Sequence, residues 1–346
     1  MKKIILEEIK YKQNRTPLWF MRQAGRYMEE YKRIRQAHNS FIQLCLDSEL
    51  MKEITLQPIK RFDIDAAIIF SDILIVPYAM GLNIEFIGGY GPLFLDKKLE
   101  DRLRIALSDN TLLPTYNKVF EGIKKVLHDL TLYHPDKTLI GFAGSPFTVA
   151  CYLIEGKSSK DFNNVKKFYF NEKKKFQRVF ERILEATIFY LKGQIDQGVE
   201  IVQLFDSWSG ILGEDEFEEL VIKPNKFIVE QLKTYKNSII LSAFPRGAGV
   251  KYKAFTEKVG ADIIGIDHTI PLTWARDNLQ SVATVQGNLD NVLVSSDNQF
   301  LRTRVLKILD ILSKNRFIFN LGHGVLPDTK IKNIKEIIDI VKDYER

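Results

Sequence analysis

The 346-residue sequence has only two cysteines, Cys45 and Cys151, far apart and in no C-x-x-C pair. That excludes a disulfide scaffold and points to a reducing compartment with buried thiols. No apolar run approaches the ~20 residues that span a bilayer. The opening MKKIILEEIKYKQ has a short apolar patch, but glutamates follow at once and no small-residue cleavage site appears. The expectation is a cytoplasmic chain with no signal peptide and no membrane insertion. Internal repeats of roughly 20–50 residues and low-complexity tracts are also lacking, which excludes solenoids and biased linkers.

The sequence lacks the common nucleotide and nucleophile signatures as well. It has no G-x-x-x-x-G-K-[ST], no G-x-S-x-G, and no glycine-rich dinucleotide fingerprint after its first apolar run. The stretch GFAGSPF carries its glycines and serine at other spacings. His323 has no histidine or cysteine at ligand spacing, His268 is a single ring, and neither cysteine neighbours a histidine in sequence. Nothing in these spacings supports a metal site, and the fingerprints of hydride and phosphoryl transfer are missing. The formal net charge of +6 allows an acidic ligand, RNA or an anionic surface, yet 50 basic residues are mixed among 44 acidic ones. Runs such as NEKKKFQR (171–178) read as solvated helix faces, so no nucleic-acid partner is expected.

What is present is a recurring apolar run that ends in a polar or glycine-containing turn. The runs are LWFMR (18–22), AAIIF (66–70), LIGFA (139–143), IVQLF (201–205), IILSA (239–243), IIGID (263–267), ATVQG (283–287) and FIFNL (317–321). Several are apolar nearly throughout, as strands covered on both faces should be. Helical periodicity occupies 47–62, where Asp47 or Ser48 is a plausible N-cap, and also 165–197, 214–233, 300–314 and 331–344. Eight strands alternating with helices predict an α/β chain folded as a single (β/α)8 TIM barrel over 1–346, with a short N-terminal extension at 1–16. A doubly wound sheet gives the same alternation, but would call for the missing glycine fingerprint.

In a barrel the active site lies at the carboxyl ends of the strands. Position alone therefore singles out Arg22, Gln23 and Arg26; Ser71 and Asp72; Gly144, Ser145, Pro146 and Tyr152; Asp206, Ser207 and Trp208; Phe244, Pro245 and Arg246; Asp267 and His268; Gly287, Asn288 and Asp290; and Gly322, His323 and Gly324. Two guanidiniums about one glycine, Gly25, suit a multiply charged anion, because arginine binds carboxylates and phosphates bidentately. A carboxylate such as Asp72 would repel that anion unless the ligand also offers N–H donors or a developing cation. Each residue has a plainer use. Arg22 and Arg26 read equally as partners of Glu29 and Glu30 on a helix face, Asp72 as a loop cap, Tyr152 as a core ring, and Ser207 as a helix cap.

Motif content adds a resemblance. PLWFMRQAGRYMEEY (17–31) resembles the N-terminal signature of the uroporphyrinogen decarboxylase family, and GFAGSPFTVACYLIEG (141–156) resembles its second signature. IIFSDILIVPYAMGL, QLFDSWSG, QGNLD and NLGHGVLPDT follow in family order. The resemblance implies a (β/α)8 barrel that pairs as a homodimer with facing clefts. It also implies cofactor-free removal of the four acetate carboxyl groups of uroporphyrinogen III in haem biosynthesis. Carried over by motif, Arg22 and Arg26 would face substrate carboxylates, with Gln23, Ala24 and Gly25 lining the same loop. Asp72 would accept hydrogen bonds from pyrrole N–H groups and stabilise the cation of the protonated ring. Tyr152, Ser207 and His323 match further substrate contacts. Two departures stand out: His268 sits where the family commonly has tryptophan, and 76–80 varies from the commonest form. A corrinoid- or thiol-linked methyltransferase on a related barrel would need a late His/Cys zinc set, which cysteines at 45 and 151 do not supply. A non-catalytic tetrapyrrole-binding protein is the remaining alternative, and intact Arg22, Arg26 and Asp72 argue against it.

Overall fold

The computed structural model describes residues 2–87, 91–109, 111–296 and 299–346. Its strands are β1 (Ala66–Ile68), β2 (Ile84–Ile87), β3 (Gly91–Phe94), β4 (Thr138–Gly144), β5 (Ile201–Asp206), β6 (Ile240–Pro245), β7 (Ile263–Gly265), β8 (Thr284–Leu289) and β9 (Phe317–Leu321). Seven of them form one parallel sheet in the order β1-β4-β5-β6-β7-β8-β9, so neighbours in space are neighbours in chain order. Strands β4, β8 and β9 are buried at every position, which is why they read as continuous apolar runs. β2 and β3 make a separate antiparallel hairpin that the apolar runs did not announce.

Side chains alternate between two cores. Ala66, Ile140, Ile201, Phe244, Ile263 and Ile318 pack inward with Trp19 and Met21, and Ile5 and Ile9 of the helix Ile4–Lys10 close that core from the amino end of the strands. Leu139, Val202, Phe317 and Phe319 point the other way, into the layer of helices. Above the inner core, polar side chains satisfy one another. Trp19 Nε1 donates to Gln286 Oε1 at 2.9 Å, and Ser242 Oγ donates to Gln203 Oε1 at 2.7 Å.

The expected first strand, 18–22, does not form a ladder; Leu18 alone makes a parallel bridge, to Phe319. Seven strands rather than eight therefore carry ladder pairing among the described residues. The physical reason is that side chains replace backbone acceptors along this segment. Leu18 N donates to Asp65 Oδ2 at 2.8 Å, Phe20 N to Gln23 Oε1 at 3.2 Å, and Met21 N to Asn320 Oδ1 at 3.1 Å. The segment still lies between β9 and β1. Phe319 N donates to Pro17 O at 2.8 Å, and Asp65 N to Leu18 O at 2.9 Å.

The helices follow the periodicity with some breaks. Ser48–Arg61 is capped by Asp47, whose Oδ1 accepts from Glu49 N and Leu50 N at 3.0 Å each. The pattern at 165–197 resolves into Asn163–Asn171 and Lys173–Asp196, and 214–233 contains a π-helical turn at Glu218–Ile222. At the amino end of the sheet, Arg346 pairs with Glu8, and both side chains are fully buried. Glu8 also accepts from Phe317 N and Gln13 N, so one carboxylate ties β9 to the chain after the first helix.

Candidate active site

The loop after Met21 is built around a strained arginine. Arg22 has φ of 58°, a left-handed conformation that costs a non-glycine residue of order 1 kcal/mol or more. The surroundings hold it there. Val325 N donates to Met21 O at 2.9 Å, and Gly324 lies so close that an added Cβ would fall 2.4 Å from Arg22 Cδ. Gln23 is buried and braces the loop from beneath: its Nε2 donates to Ala66 O at 2.9 Å, and its carbonyl accepts from the Tyr27 hydroxyl at 2.6 Å. Ala24 and Gly25 stay partly accessible on the outer side of the turn.

This geometry separates the two readings of the arginines. The helix begins only at Glu29, so Arg22 and Arg26 lie on a bent loop rather than on its face. Glu30 pairs with Arg61 at 2.9 Å and Glu29 with Lys32 at 2.6 Å. Arg22 and Arg26 are exposed and form no hydrogen bond or ion pair among the described residues. The glutamates take other partners, and the two cations are left for something else.

Asp72 follows β1. It retains some accessibility, while protein encloses its remaining sides. Its Oδ1 accepts from Leu74 N at 2.9 Å. Burial raises its pKa to about 6, against the opposing pull of the Leu74 N–H and the Arg22 charge. Tyr152, on the helix Pro146–Glu155, is half-buried and stands edge-on to Phe162 and Trp208 at 5.8 and 6.2 Å. Burial raises its pKa, and the charges of Asp72 and Arg22 both act on it. Trp208 Nε1 has no partner of hydrogen-bond geometry, although it lies near enough to the Tyr152 hydroxyl to lower that pKa.

Ser207 is half-buried and makes no hydrogen bond among the described residues; the short helix Ser209–Ile211 after it has no side-chain cap. His323 is held between two buried glycines. Burial first, then the positive charges of Arg22 and Arg246, pushes its pKa down to about 3, so the ring is neutral at physiological pH. The Arg22 charge thus acts on Asp72, Tyr152 and His323, and Asp72 acts on Tyr152, so these strand-end residues share one electrostatic neighbourhood centred on Arg22.

Two strand-end carboxylates serve the scaffold. Asp206 is buried, accepts from Thr148 Oγ1 at 2.6 Å, and has its pKa raised to about 7 by burial. Asp267 accepts from Gly247 N, Thr269 N, Thr269 Oγ1 and the Tyr252 hydroxyl, which together hold its pKa below the usual range against burial. His268 is exposed at the same rim. No group of three or more His, Cys, Asp or Glu side chains among the described residues is arranged to hold a metal ion. A groove of about 530 Å³ lies on the outer helical face, lined by Arg302, Lys335 and Glu336, and contains none of the strand-end residues.

The cleft combines unpaired guanidiniums, a carboxyl that titrates near neutrality, a neutral imidazole and unbonded hydroxyls. Those are groups whose chemistry suits several carboxylates and one cation between them.

Comparison with known proteins agrees in scale and kind. The family model "Uroporphyrinogen decarboxylase (URO-D)" matches residues 9–344. The uroporphyrinogen decarboxylase of Rickettsia bellii is 43% identical over 343 residues, covering 99% of each chain. That of Rickettsia massiliae is 42% identical over 99% of this chain and 97% of its own. That of Erythrobacter litoralis is 42% identical over 96% of each. Among solved structures, a methyltransferase from Methanosarcina mazei superposes with a TM-score of 0.77 at 15% identity, over 98% of this chain and 97% of its own, a likeness of fold alone.

Proposed function

Because the chain belongs to the uroporphyrinogen decarboxylase family, we propose that the cleft at the carboxyl end of its sheet binds uroporphyrinogen III and converts its four acetate side chains to methyl groups. The protein is a decarboxylase of porphyrin and haem biosynthesis, and its substrate is a small tetrapyrrole. The observation that supports the assignment of residues is the pairing of Asp72, a carboxyl that protein encloses on most sides, with guanidiniums that have no counter-ion of their own.

The chemistry needs an electron sink beside each acetate. A proton added to a pyrrole ring carbon makes an iminium-like cation. The bond between the acetate methylene and its carboxylate then breaks, its electron pair neutralises the ring, and carbon dioxide leaves. A second proton converts the resulting methylene to a methyl group as the ring carbon gives back the first. Ring protonation itself supplies the sink, so the reaction draws on no cofactor. Ionised Asp72 accepts hydrogen bonds from the pyrrole N–H groups and stabilises the cation. Arg22 and Arg26 hold substrate carboxylates, Gln23, Ala24 and Gly25 shape the loop that carries them, and Tyr152, Ser207 and neutral His323 supply uncharged hydrogen bonds.

The segment 17–21 acts as the eighth stave, closing the seven-stranded sheet into a (β/α)8 barrel. The inward turn of Trp19 and Met21 and the bonds of Pro17 and Leu18 to both edge strands support this. The chain is a single domain over 1–346 that works in the cytoplasm and pairs as a homodimer, and sedimentation velocity at micromolar concentration tests the pairing. Anaerobic incubation with chemically reduced uroporphyrin III, followed by separation of the oxidised products, tests the function. Porphyrins with seven down to four carboxyl groups should accumulate; their absence beside an active control enzyme refutes the reading.

A further inference from the structure

We propose that Arg246 is a third carboxylate-binding residue of the cleft, seated on the wall opposite Arg22 and receiving a substrate carboxylate on the side of the macrocycle remote from that arginine. The proposal rests on the decarboxylase reading. Its first support is position. Counting around the sheet from the segment 17–21 through β1, β4 and β5 reaches β6 at the fourth step, and counting back through β9, β8 and β7 reaches it at the fourth step too. Arg246 follows β6 directly, so it stands across the mouth from Arg22. A macrocycle with carboxylates on every side presents anions to both walls at once.

The second support is how firmly its backbone is set. Arg246 N donates to Asp206 O at 3.1 Å, and its carbonyl accepts from Gly210 N at 3.2 Å and from Ser209 Oγ at 3.2 Å. The next residue, Gly247, donates to Asp267 Oδ2 at 2.8 Å. Gly210 approaches Gly247 so closely that an added Cβ would meet its carbonyl oxygen at 2.5 Å. The loops after β5 and β6 are locked together, and Arg246 springs from the lock.

The third support is the state of its side chain. Arg246 is half-buried, yet its guanidinium makes no hydrogen bond or ion pair among the described residues. The neighbouring carboxylates have other partners: Asp267 accepts four hydrogen bonds from Gly247, Thr269 and Tyr252, and Asp206 is held by Thr148 and Asn225. Its charge acts on the imidazole of His323, which follows β9, as well as on the buried Tyr252 hydroxyl behind β6. A half-buried cation without a partner is unfavourable until an anion arrives.

The test uses the full chain with Arg246→Met, Arg246→Gln and Arg246→Lys. Steady-state decarboxylation of uroporphyrinogen III gives KM and kcat, and quenching of intrinsic fluorescence by uroporphyrin III gives a dissociation constant that needs no turnover. Loss of a charged hydrogen bond to a carboxylate should raise both KM and the dissociation constant about tenfold or more for Met and Gln. The value of kcat should stay within about threefold, because the contact is the same in ground and transition states. Lysine should recover most of the affinity, and the Met variant should lose part of the salt dependence of binding. Folded Met and Gln variants whose constants both lie within about twofold of the parent would overturn the proposal. If the parent itself does not turn over, the decarboxylase reading fails, and the uroporphyrin titration alone then decides the role of Arg246.

Discussion

Asp72 shows most directly how burial sets function at the scale of one residue. Its pKa of about 6 leaves it mostly ionised at pH 7.5 and mostly neutral at pH 5. In the proposed mechanism the ionised form is the one that stabilises a ring cation, so kcat/KM should fall as pH drops through about 6. Asp72→Asn should remove that limb and lower kcat by about 10²–10³-fold, the usual effect of deleting a preorganised electrostatic partner. Its effect on stability has the opposite sign. A carboxyl whose folded pKa lies above its unfolded value makes stability fall as pH rises from about 4 to about 6. The Asn variant should therefore be more stable than the parent at pH 8, by about 1–3 kcal/mol in urea titrations. A variant that is both slower and less stable would count against a site role. None of this shift was legible in AAIIFSDIL; the sequence places an aspartate after an apolar run, while the pKa depends on the atoms that enclose it.

The loop 21–28 carries the argument at the scale of an element. Its two free arginines were legible as a motif, and the alternative pairing with Glu29 and Glu30 fails because those residues belong to a helix that starts later and pair with Lys32 and Arg61. The left-handed backbone at Arg22 and the brace beneath it were not legible. Both depend on Gly324, Val325 and Ala66, which are distant in sequence. Gln23 carries a family motif position, and its amide is engaged by Phe20 N and Ala66 O, which braces the loop. Gly324→Ala tests that view. The new methyl must displace the Arg22 side chain, and kcat/KM should fall about 10–100-fold, the effect of a displacement of about 1 Å. The thermal midpoint should move little, and an unchanged kcat/KM would show that Arg22 does not need its present position.

Across the whole molecule, the alternation of apolar runs and helices was readable because parallel strands covered on both faces are apolar throughout. Seven of the eight runs pair in ladders. The first does not, because Asp65, Gln23 and Asn320 offer side-chain oxygens where a ladder would use carbonyls, and no periodicity announces that. The hairpin β2–β3 escaped notice because its strands are four residues each and lie outside the sheet. The ion pair of Glu8 and Arg346 is likewise invisible in sequence, being separated by 338 positions. Arg346→Ala would strand a fully buried carboxylate, and urea denaturation should show a loss of about 3–5 kcal/mol. Turnover per folded molecule should be unaffected, since the pair lies at the end of the sheet away from the cleft.

The seat of Arg22 between the first and last strands also orders events during synthesis. A ribosome makes Arg22 early and makes Phe319, Asn320 and Val325, which hold its segment, roughly 300 residues later. At about 5–20 residues per second, that interval is on the order of 15–60 s. Throughout it, the apolar stretch 18–21 has neither of the partners that β9 and the loop after it supply. The loop that carries Arg22 therefore takes up its seat only after the last strand and the loop behind it have been made.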